Sequence, residues 1–392
     1  MLPVPLFNAL KEFAGDKELP YYTLTANGVR FHQYVGALQI GPYCIEVLPK
    51  IDRVVSDESL AQKVLIDMLR QAGFINVKTP TEATLRLKRN IILDAYIRMF
   101  FDELWQIIHK GLVKYYRKEE ANRFTLKGRL MFSRHLVLNI HNAERFFVRF
   151  SVYDKEHPLN RVLYKTLRLL SSMSLRQEMD SEAKMLLNAL PDLGDIEVSE
   201  DFFTKIRYTR KTESYKRAIE FARLLLLNYH PDLSRGRNNV LALMFDMNDV
   251  WEAWFTSRIA AAAKKSAVNV SVRAQARKVL WTNKSGERVN QRPDIIIDID
   301  DRPEIILDTK WKLIRNRPSE DDLRQMFTYN NLFSVRRSYL VYPGVTDTVE
   351  GEFFDPSNNG YCGLSMINFI EEGKLTSVHI DNFLSYLMRE AV

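Results

Sequence analysis

Two β-rich runs separated by a turn stand out in the hydrophobic pattern near the start of the chain. The runs are GVRFHQYVGALQI and CIEVLPKI, and the turn formers Gly41 and Pro42 lie between them. Apolar and β-branched residues on both sides of such a turn predict a β-hairpin. The N-terminal region is therefore expected to begin as a β-rich module.

Helical periodicity replaces this pattern further along the chain. Apolar residues recur there at intervals of three or four, which is the spacing of one buried helix face. The segment FFVRFSVYDKEHPLNRVLYKTL is expected to pass from a strand into a helix. The predicted helical segments are residues 59–77, 91–117, 159–192 and 213–229.

Polar turn formers end the helical region at HPDLSRGRNN, residues 230–239. A domain boundary is predicted there, giving domains 1–235 and 236–392. The second domain shows a helix at 246–264, then the strands VNVSVRAQARKVLW, RPDIIIDID and PEIILDTKWKL. A helix at 318–332 and the strand RRSYLVYP follow. This order predicts an α/β fold, with a mixed central sheet flanked by helices in the C-terminal domain.

Composition narrows the class of protein. The formal net charge is +7, which suits a polyanionic partner such as DNA. The two cysteines, Cys44 and Cys362, lie far apart, so no disulfide framework or structural zinc site is expected. The N-terminus does not resemble a secretory signal, and no run approaches the roughly 20 apolar residues of a membrane span. A cytoplasmic protein without a membrane partner is expected.

Charged residues at the end of two apolar strands form the candidate active site. Asp294 begins the first strand of RPDIIIDIDDRPEIILDTKWK, and Asp308 and Lys310 lie two apart on the second. The turn DIDDRP between the strands predicts antiparallel pairing, and residues two apart on a strand share one face. Burial of these charges costs several kcal/mol unless they are paired or bind a metal. Two carboxylates can hold Mg²⁺, and the lysine can orient a water or stabilise developing charge.

Residues on two helices complete the candidate site. Gln325 and Tyr329 are four apart, so they lie on one helix face and can support the site or contact the substrate. The alternative for this pair is an ordinary amphipathic helix surface. Glu252, on the earlier helix, is a candidate third metal ligand, and the alternative is a plain surface carboxylate beside two tryptophans.

At these residues the chain resembles the PD-(D/E)xK nuclease superfamily, with Asp294, Asp308 and Lys310 filling the motif. Gln325 and Tyr329 resemble the extra motif of its RecB-like branch. The resemblance narrows to the McrC family because several blocks occur in that family's order. These blocks are VGALQIGPYCIEVLPKI, LKGRLMFSRHL, HPLNRVL, FDMNDVWEAWF, RPDIII and LDTKWK.

The McrC resemblance implies the nuclease subunit of a modification-dependent restriction system of the McrBC type. It implies a restriction-endonuclease-like C-terminal domain that cuts DNA with Mg²⁺. It also implies an N-terminal region that docks on a hexameric AAA+ GTPase, McrB, and stimulates nucleotide hydrolysis. The partner would read the DNA modification, so that choice lies outside this chain.

Two other functions stay open at this point. One is a stand-alone repair nuclease of the RecB-like type, active without a motor. The other is a catalytically silent adaptor that only activates an NTPase. The chain has no GxxxxGK[ST] loop, so in either restriction or adaptor function the NTPase is a separate protein.

Overall fold

The structure is a computed structural model of the 392-residue chain. It describes residues 2–15, 19–26, 28–50, 57–74, 92–173, 175–230, 240–266, 269–312, 317–345, 348–349, 351–353 and 360–391. The predicted boundary segment lies almost wholly outside the described residues. Within the described part, no helix is both long and apolar enough to cross a membrane.

The described residues form a mixed α/β structure. Its α-helices are α1 (Val4–Ala14), α2 (Glu58–Gln71), α3 (Ile92–Lys110), α4 (Phe132–Asn139), α5 (Pro158–Ser172), α6 (Gln177–Ala189), α7 (Glu200–Thr204), α8 (Lys216–Leu227), α9 (Met247–Ala263), α10 (Glu320–Phe333) and α11 (Val378–Ala391).

The strands form several separate sheets. They are β1 (Tyr22–Thr25), β2 (Gly28–Phe31), β3 (Tyr34–Ile40), β4 (Tyr43–Val47), β5 (Tyr115–Arg123), β6 (Arg129–Leu130), β7 (Phe146–Asp154), β8 (Tyr229–His230), β9 (Val240–Asp246), β10 (Val270–Ala274), β11 (Lys278–Thr282), β12 (Arg288–Gln291), β13 (Ile295–Ile299), β14 (Arg302–Thr309), β15 (Arg337–Pro343), β16 (Tyr361–Ile367), β17 (Ile370–Glu371) and β18 (Lys374–Leu375).

The predicted N-terminal hairpin is confirmed. Strands β3 and β4 pair antiparallel around the turn, and Ile40 lies opposite Tyr43. On its other edge β3 pairs antiparallel with β9, which belongs to the second half of the chain. The sheet order is β4-β3-β9-β8. The boundary between residues 235 and 236 stays a prediction, but the first strand after it is a member of the N-terminal sheet.

A five-stranded mixed sheet, ordered β10-β13-β14-β15-β16, positions the candidate site. The pairs on the β10 side are antiparallel, and β14-β15 and β15-β16 are parallel. Mixed pairing matches the central sheet predicted from the sequence. The inner strand β13 is buried on both faces, which explains why Ile295, Ile296 and Ile297 form one continuous apolar run.

Helices cover both faces of this central sheet. Alternate residues of β13 and β14, such as Ile295 and Leu307, pack into the large core that contains α9 and α11 side chains. Their neighbours Ile296 and Ile306 pack on the other face, against Met326 of α10. The strand residues that share a face with Ile306 therefore point toward α10.

Three predicted elements differ from the structure. The helical segment predicted over residues 159–192 is broken, because α5 ends at Ser172 and α6 begins at Gln177. The helix predicted over residues 91–117 ends at Lys110, and Tyr115–Arg123 instead forms β5, paired along its whole length with β7. The strand predicted over VNVSVRAQARKVLW is broken into β10 and β11. Gln275, at φ 51°, separates them, because a left-handed residue interrupts an extended strand.

Candidate active site

The predicted antiparallel pairing that carries the site is confirmed. Ile295 of β13 lies opposite Leu307 of β14, so extension of this register by one residue places Asp294 beside Asp308. Asp308 and Lys310 follow Ile306 on the face that points toward α10. Lys310 comes directly after β14, where its backbone N–H donates to the Val341 carbonyl at 2.9 Å. The structure therefore brings the three predicted residues to one end of two paired strands.

Asp308 is the most buried member of the site, with 1% of its side chain exposed. Lys310 Nζ lies 2.7 Å from Asp308 Oδ2 in an ion pair, and this contact favours the charged form of the carboxyl. Burial, followed by the neighbouring charge of Asp294, raises the pKa of Asp308 to about 7. Asp308 is thus a buried carboxyl whose charged form is opposed by burial and by Asp294 and is favoured by Lys310.

Lys310 joins the two acids to α10. Burial opposes its charged form, but the Asp308 carboxylate outweighs it, and the pKa of Lys310 is raised. Its Nζ also donates to Gln325 Oε1 at 3.2 Å. The ammonium is therefore held charged and oriented at the end of β14.

Asp294 is fixed by the strand opposite to it. Its Oδ2 accepts hydrogen bonds from the Thr309 backbone N–H at 2.7 Å and from Thr309 Oγ1 at 2.9 Å. Burial raises the pKa of Asp294, although these two hydrogen bonds act in the opposite direction. Thr309 holds Oδ2, and no described residue donates a hydrogen bond to the other carboxylate oxygen.

The predicted helix pair Gln325 and Tyr329 is confirmed on one face of α10. Gln325 Nε2 donates to the Tyr329 hydroxyl at 2.7 Å, and that hydroxyl donates to the Arg292 carbonyl at 3.1 Å. A chain of hydrogen bonds therefore runs from Arg292 through Tyr329 and Gln325 to Lys310. These hydrogen bonds link the lysine to the backbone of Arg292, two residues before Asp294.

Glu252 lies at the edge of the site rather than at its centre. Its Oε1 accepts a hydrogen bond from Gln275 Nε2 at 2.7 Å. Burial and then the negative charge of Asp294 raise the pKa of Glu252, so the two carboxylates interact electrostatically. The backbone N–H of Gln275 also donates to the Asp294 carbonyl at 2.8 Å, which joins Glu252 indirectly to the site.

Three charged neighbours of the site were not predicted from the sequence. Asp249, in the first turn of α9, has a raised pKa because of burial and nearby carboxylates, Asp294 among them. The positive charge of Arg292 acts on both Asp249 and Asp294. Asp322 Oδ2 lies 3.1 Å from Lys312 Nζ, and the positive charge of Lys310 acts on the same carboxylate. The position of Arg292 directly before Pro293 and Asp294 is the one sequence signal that could have found any of them.

The residues present fit a hard divalent cation. Both acids offer oxygen ligands, and burial raises the pKa of each carboxyl, so a cation nearby would favour their charged forms. Among the described residues, no three Asp, Glu, His or Cys side chains form a preassembled ligand set. Mg²⁺ takes one or two carboxylates and completes its shell with water and phosphate oxygens, a shell to which Asp294 and Asp308 can contribute. The role of Glu252 as a third ligand stays a prediction.

Comparison with known proteins identifies the family. A family profile described as McrBC 5-methylcytosine restriction system component matches residues 29–343, which is most of the chain. The chain belongs to this family. The McrBC match runs without interruption from the β3-β4 hairpin through every predicted site residue, and the resemblance predicted from the sequence is confirmed.

A solved structure of the McrBC type shares the fold. A chain in the half-complex from the tetradecameric assembly of Thermococcus gammatolerans McrB AAA+ hexamers with bound McrC has a TM-score of 0.69 and 20% identity. The similarity covers 93% of this chain and 85% of that chain. The cryo-EM structure of the Thermococcus gammatolerans McrBC complex gives a TM-score of 0.48 and 21% identity, over 63% of this chain and 72% of that one. Among curated proteins, none matches this chain.

Proposed function

We propose that this chain is the Mg²⁺-dependent DNA endonuclease subunit of an McrBC-like, modification-dependent restriction system. The observation that carries the proposal is the convergence of Asp294, Asp308 and Lys310 at one end of paired strands. Membership of the McrBC family and the fold shared with a McrB–McrC assembly support it. In this proposal the site hydrolyses a phosphodiester bond of DNA.

Asp294 and Asp308 would hold the cation in the proposed reaction, with Glu252 as an optional third carboxylate. When bound, the cation supplies positive charge that stabilises the phosphate undergoing cleavage. Buried carboxylates with raised pKa values gain from a cation, because it favours their charged forms.

Lys310 supplies the second positive charge of the site. Its ammonium is held by Asp308 and Gln325, so it can donate to a water or to a phosphate oxygen without further reorganisation. Gln325 and Tyr329 act as positioning residues, because they contact Lys310 and the Arg292 carbonyl.

A McrB-like hexameric AAA+ GTPase is the proposed partner. The chain carries no phosphate-binding loop, and its structural relative comes from an assembly of McrB hexamers with bound McrC. The N-terminal region, residues 1–235 in the predicted division, would dock on that partner and stimulate its hydrolysis. This division of labour predicts that cleavage and stimulation can be separated by mutation.

The test is cleavage of methylated and unmethylated plasmid by the chain with its neighbouring AAA+ protein, nucleotide and Mg²⁺. We expect Asp308→Ala and Lys310→Ala each to reduce cleavage at least about a hundredfold, the scale of removing one preorganised charge from a site. Stimulation of nucleotide hydrolysis should be unchanged. The matched control is Glu372→Ala with Lys374→Ala, an acid-x-lysine pair of the same spacing on exposed positions.

The two other functions give different results in the same assay. Robust cleavage of DNA without partner or nucleotide would favour a stand-alone RecB-like nuclease. Cleavage that survives both active-site substitutions would leave only the catalytically silent adaptor. Addition of a chelator, and rescue by Mg²⁺ but not by monovalent salt, tests the cation requirement.

A further inference from the structure

A two-stranded β-ribbon, residues 277–292, projects from the sheet beside the candidate site. It consists of β11 and β12, which pair only with each other. The ribbon continues the β10-β13 pair, because β10 leads into β11 and β12 leads into β13. Asp294 lies at the junction between the sheet and the β-ribbon. Whatever the β-ribbon binds is therefore held next to the site.

The base of the β-ribbon is fixed by contacts of the site itself. Just before the β-ribbon, Gln275 donates hydrogen bonds to the Asp294 carbonyl and to Glu252. Just after β12, the Arg292 carbonyl accepts a hydrogen bond from the Tyr329 hydroxyl at 3.1 Å. Lys278 Nζ also lies 5.6 Å from the centre of the Phe333 ring of α10. The β-ribbon is thus anchored at its base and extends from a defined point.

Both faces of the β-ribbon are open to solvent, and they carry apolar side chains. Trp281 is 53% exposed and is the most exposed of the five tryptophans. Its cross-strand partner Val289 is also exposed, as are Val279 and Leu280. A two-stranded hairpin buries little apolar surface on its own. An exposed tryptophan on it is therefore unfavourable in water unless a ligand covers the indole.

Charge identifies the class of ligand. Residues 277–292 contain five basic residues and one acid, Glu287, whose carboxylate accepts from Asn283 at the ribbon's tip. Within the described part of the chain, Arg277, Lys284 and Arg288 form no ion pair. By contrast, Arg273 in the neighbouring sheet is paired with Asp298 at 2.5 Å. Unpaired basic residues around an exposed indole suit a polyanion with stacked aromatic bases.

We propose that the β-ribbon binds the DNA duplex beside the scissile phosphate. Arg277, Lys284 and Arg288 contact backbone phosphates, and Trp281 enters a groove. A two-stranded ribbon fits the major groove, and an apolar wedge fits between base steps of the minor groove. The strands extend about 15–20 Å past Asp294 at about 3.3 Å per residue. The β-ribbon therefore spans about five base pairs to one side of the cut. This inference rests on the proposed nuclease function.

The test measures binding of the full-length chain to a fluorescent duplex in chelator, where no cleavage occurs. We expect Lys284→Glu with Arg288→Glu to weaken binding at least about tenfold at about 100 mM salt. The slope of log affinity against log salt should fall by about two, one for each lost phosphate contact. The matched control is Lys11→Glu with Arg30→Glu, an equal charge change at exposed positions on α1 and β2.

Tryptophan emission gives an independent readout. Duplex DNA should quench the emission of the wild-type chain, and Trp281→Phe should remove most of that quenching while the chain remains folded by circular dichroism. The proposal would be overturned if the Lys284→Glu, Arg288→Glu variant had the same affinity and salt slope as the control pair. It would also be overturned if duplex DNA left the emission of the wild-type chain unquenched, or if the wild-type chain did not bind duplex at low salt.

The two proposals fail in different ways. Asp308→Ala should abolish cleavage and leave duplex binding intact, whereas the β-ribbon variants should weaken binding. Loss of binding together with cleavage that survives Asp308→Ala would contradict the nuclease function but not the DNA contact. Normal binding by the β-ribbon variants together with loss of cleavage in Asp308→Ala would contradict the β-ribbon proposal alone.

Discussion

At the scale of one residue, the buried carboxyl of Asp308 in the candidate site lowers the free energy of unfolding. Its carboxyl is buried at the end of β14, and among the described residues Lys310 is the one cation paired with it. A buried charge with one partner costs more free energy than a neutral group of the same shape. The residue that is expected to hold the cation is therefore a source of instability when the cation is removed.

Asp308→Asn is expected to stabilise the cation-free chain above neutral pH. The unfolded carboxyl has a pKa near 3.9, and the folded one is raised to about 7. Between these values the folded state binds more protons, so the free energy of unfolding of the wild type falls as pH rises from about 4 to about 7. The variant lacks this loss. Its advantage should be absent below about pH 4 and roughly 1–3 kcal/mol at pH 8, after subtraction of the lost ion pair.

Thermal or urea unfolding in chelator at several pH values measures this difference. Asp298→Asn is the control, because Asp298 is buried in the same sheet but accepts two short hydrogen bonds from Arg273. That variant should be less stable than the wild type. An Asp308→Asn variant that is less stable at pH 8 than the wild type would contradict the prediction.

The site residues differ in how far the sequence could predict them. Asp294, Asp308 and Lys310 are charged residues in otherwise apolar strands, and strand alternation places the last two on one face. Asp249 and Arg292 lack this signal, since one lies on a helix and the other lies before a strand. The approach of Asp249 to Asp294 depends on how α9 packs on the sheet, which no local pattern encodes, whereas Arg292 lies two residues before Asp294 in the sequence.

At the scale of elements, helix α10 is the support for the lysine. Ser319 caps its start by accepting from the Asp322 N–H at 3.2 Å, and Gln325 and Tyr329 follow on one face. The Tyr329 side chain is buried, and its hydroxyl has two partners, Gln325 and the Arg292 carbonyl. The helix therefore fixes the position of Lys310 through hydrogen bonds rather than through charge.

Tyr329→Phe is expected to reduce cleavage about tenfold, because a lost buried hydrogen bond costs about 1–2 kcal/mol and frees Gln325 to rotate. Affinity for a duplex in chelator should stay within about twofold of the wild type, since the hydroxyl faces Gln325 and backbone. Single-turnover cleavage by the reconstituted complex measures the effect. Thr328→Ala is the control, because the Thr328 hydroxyl bonds to the Arg324 carbonyl of its own helix.

Two elements show why local pattern fails to predict some boundaries. The apolar periodicity of 91–117 continues past Lys110, but Tyr115 to Arg117 pair with β7, some forty residues later. Long-range pairing overrides helix propensity there. The break between β10 and β11 depends on the conformation of Gln275, which bonds to Asp294 and Glu252. Both failures come from contacts between residues distant in sequence.

At the scale of the whole molecule, the β3-β9 pair joins the two halves of the chain. Gly36 in β3 has φ 134°, and a Cβ at this position would lie 2.1 Å from the Leu243 carbonyl oxygen in β9. Only glycine allows this approach of the two backbones. The same pairing could not be predicted from the sequence, where a polar segment separates the strands and predicts a boundary.

Gly36→Ala is therefore expected to destabilise the protein by roughly 2–4 kcal/mol, because the backbones must separate or distort. Gly28→Ala is the control, since a Cβ there would meet only Thr25 Oγ1, at 3.5 Å. Chemical unfolding followed by tryptophan emission and by circular dichroism measures both variants. A loss of less than about 0.5 kcal/mol in Gly36→Ala would show that β3 and β9 are not held together as described.

Strand β9 and helix α9 follow each other without a linker. Asp246 is the last residue of β9, and its carboxylate caps α9 by accepting from the Asn248 N–H at 2.8 Å. Glu252 lies a turn and a half further along this helix. No flexible segment separates β9 from α9, so a displacement of the N-terminal sheet would be passed along the helix to the edge of the candidate site.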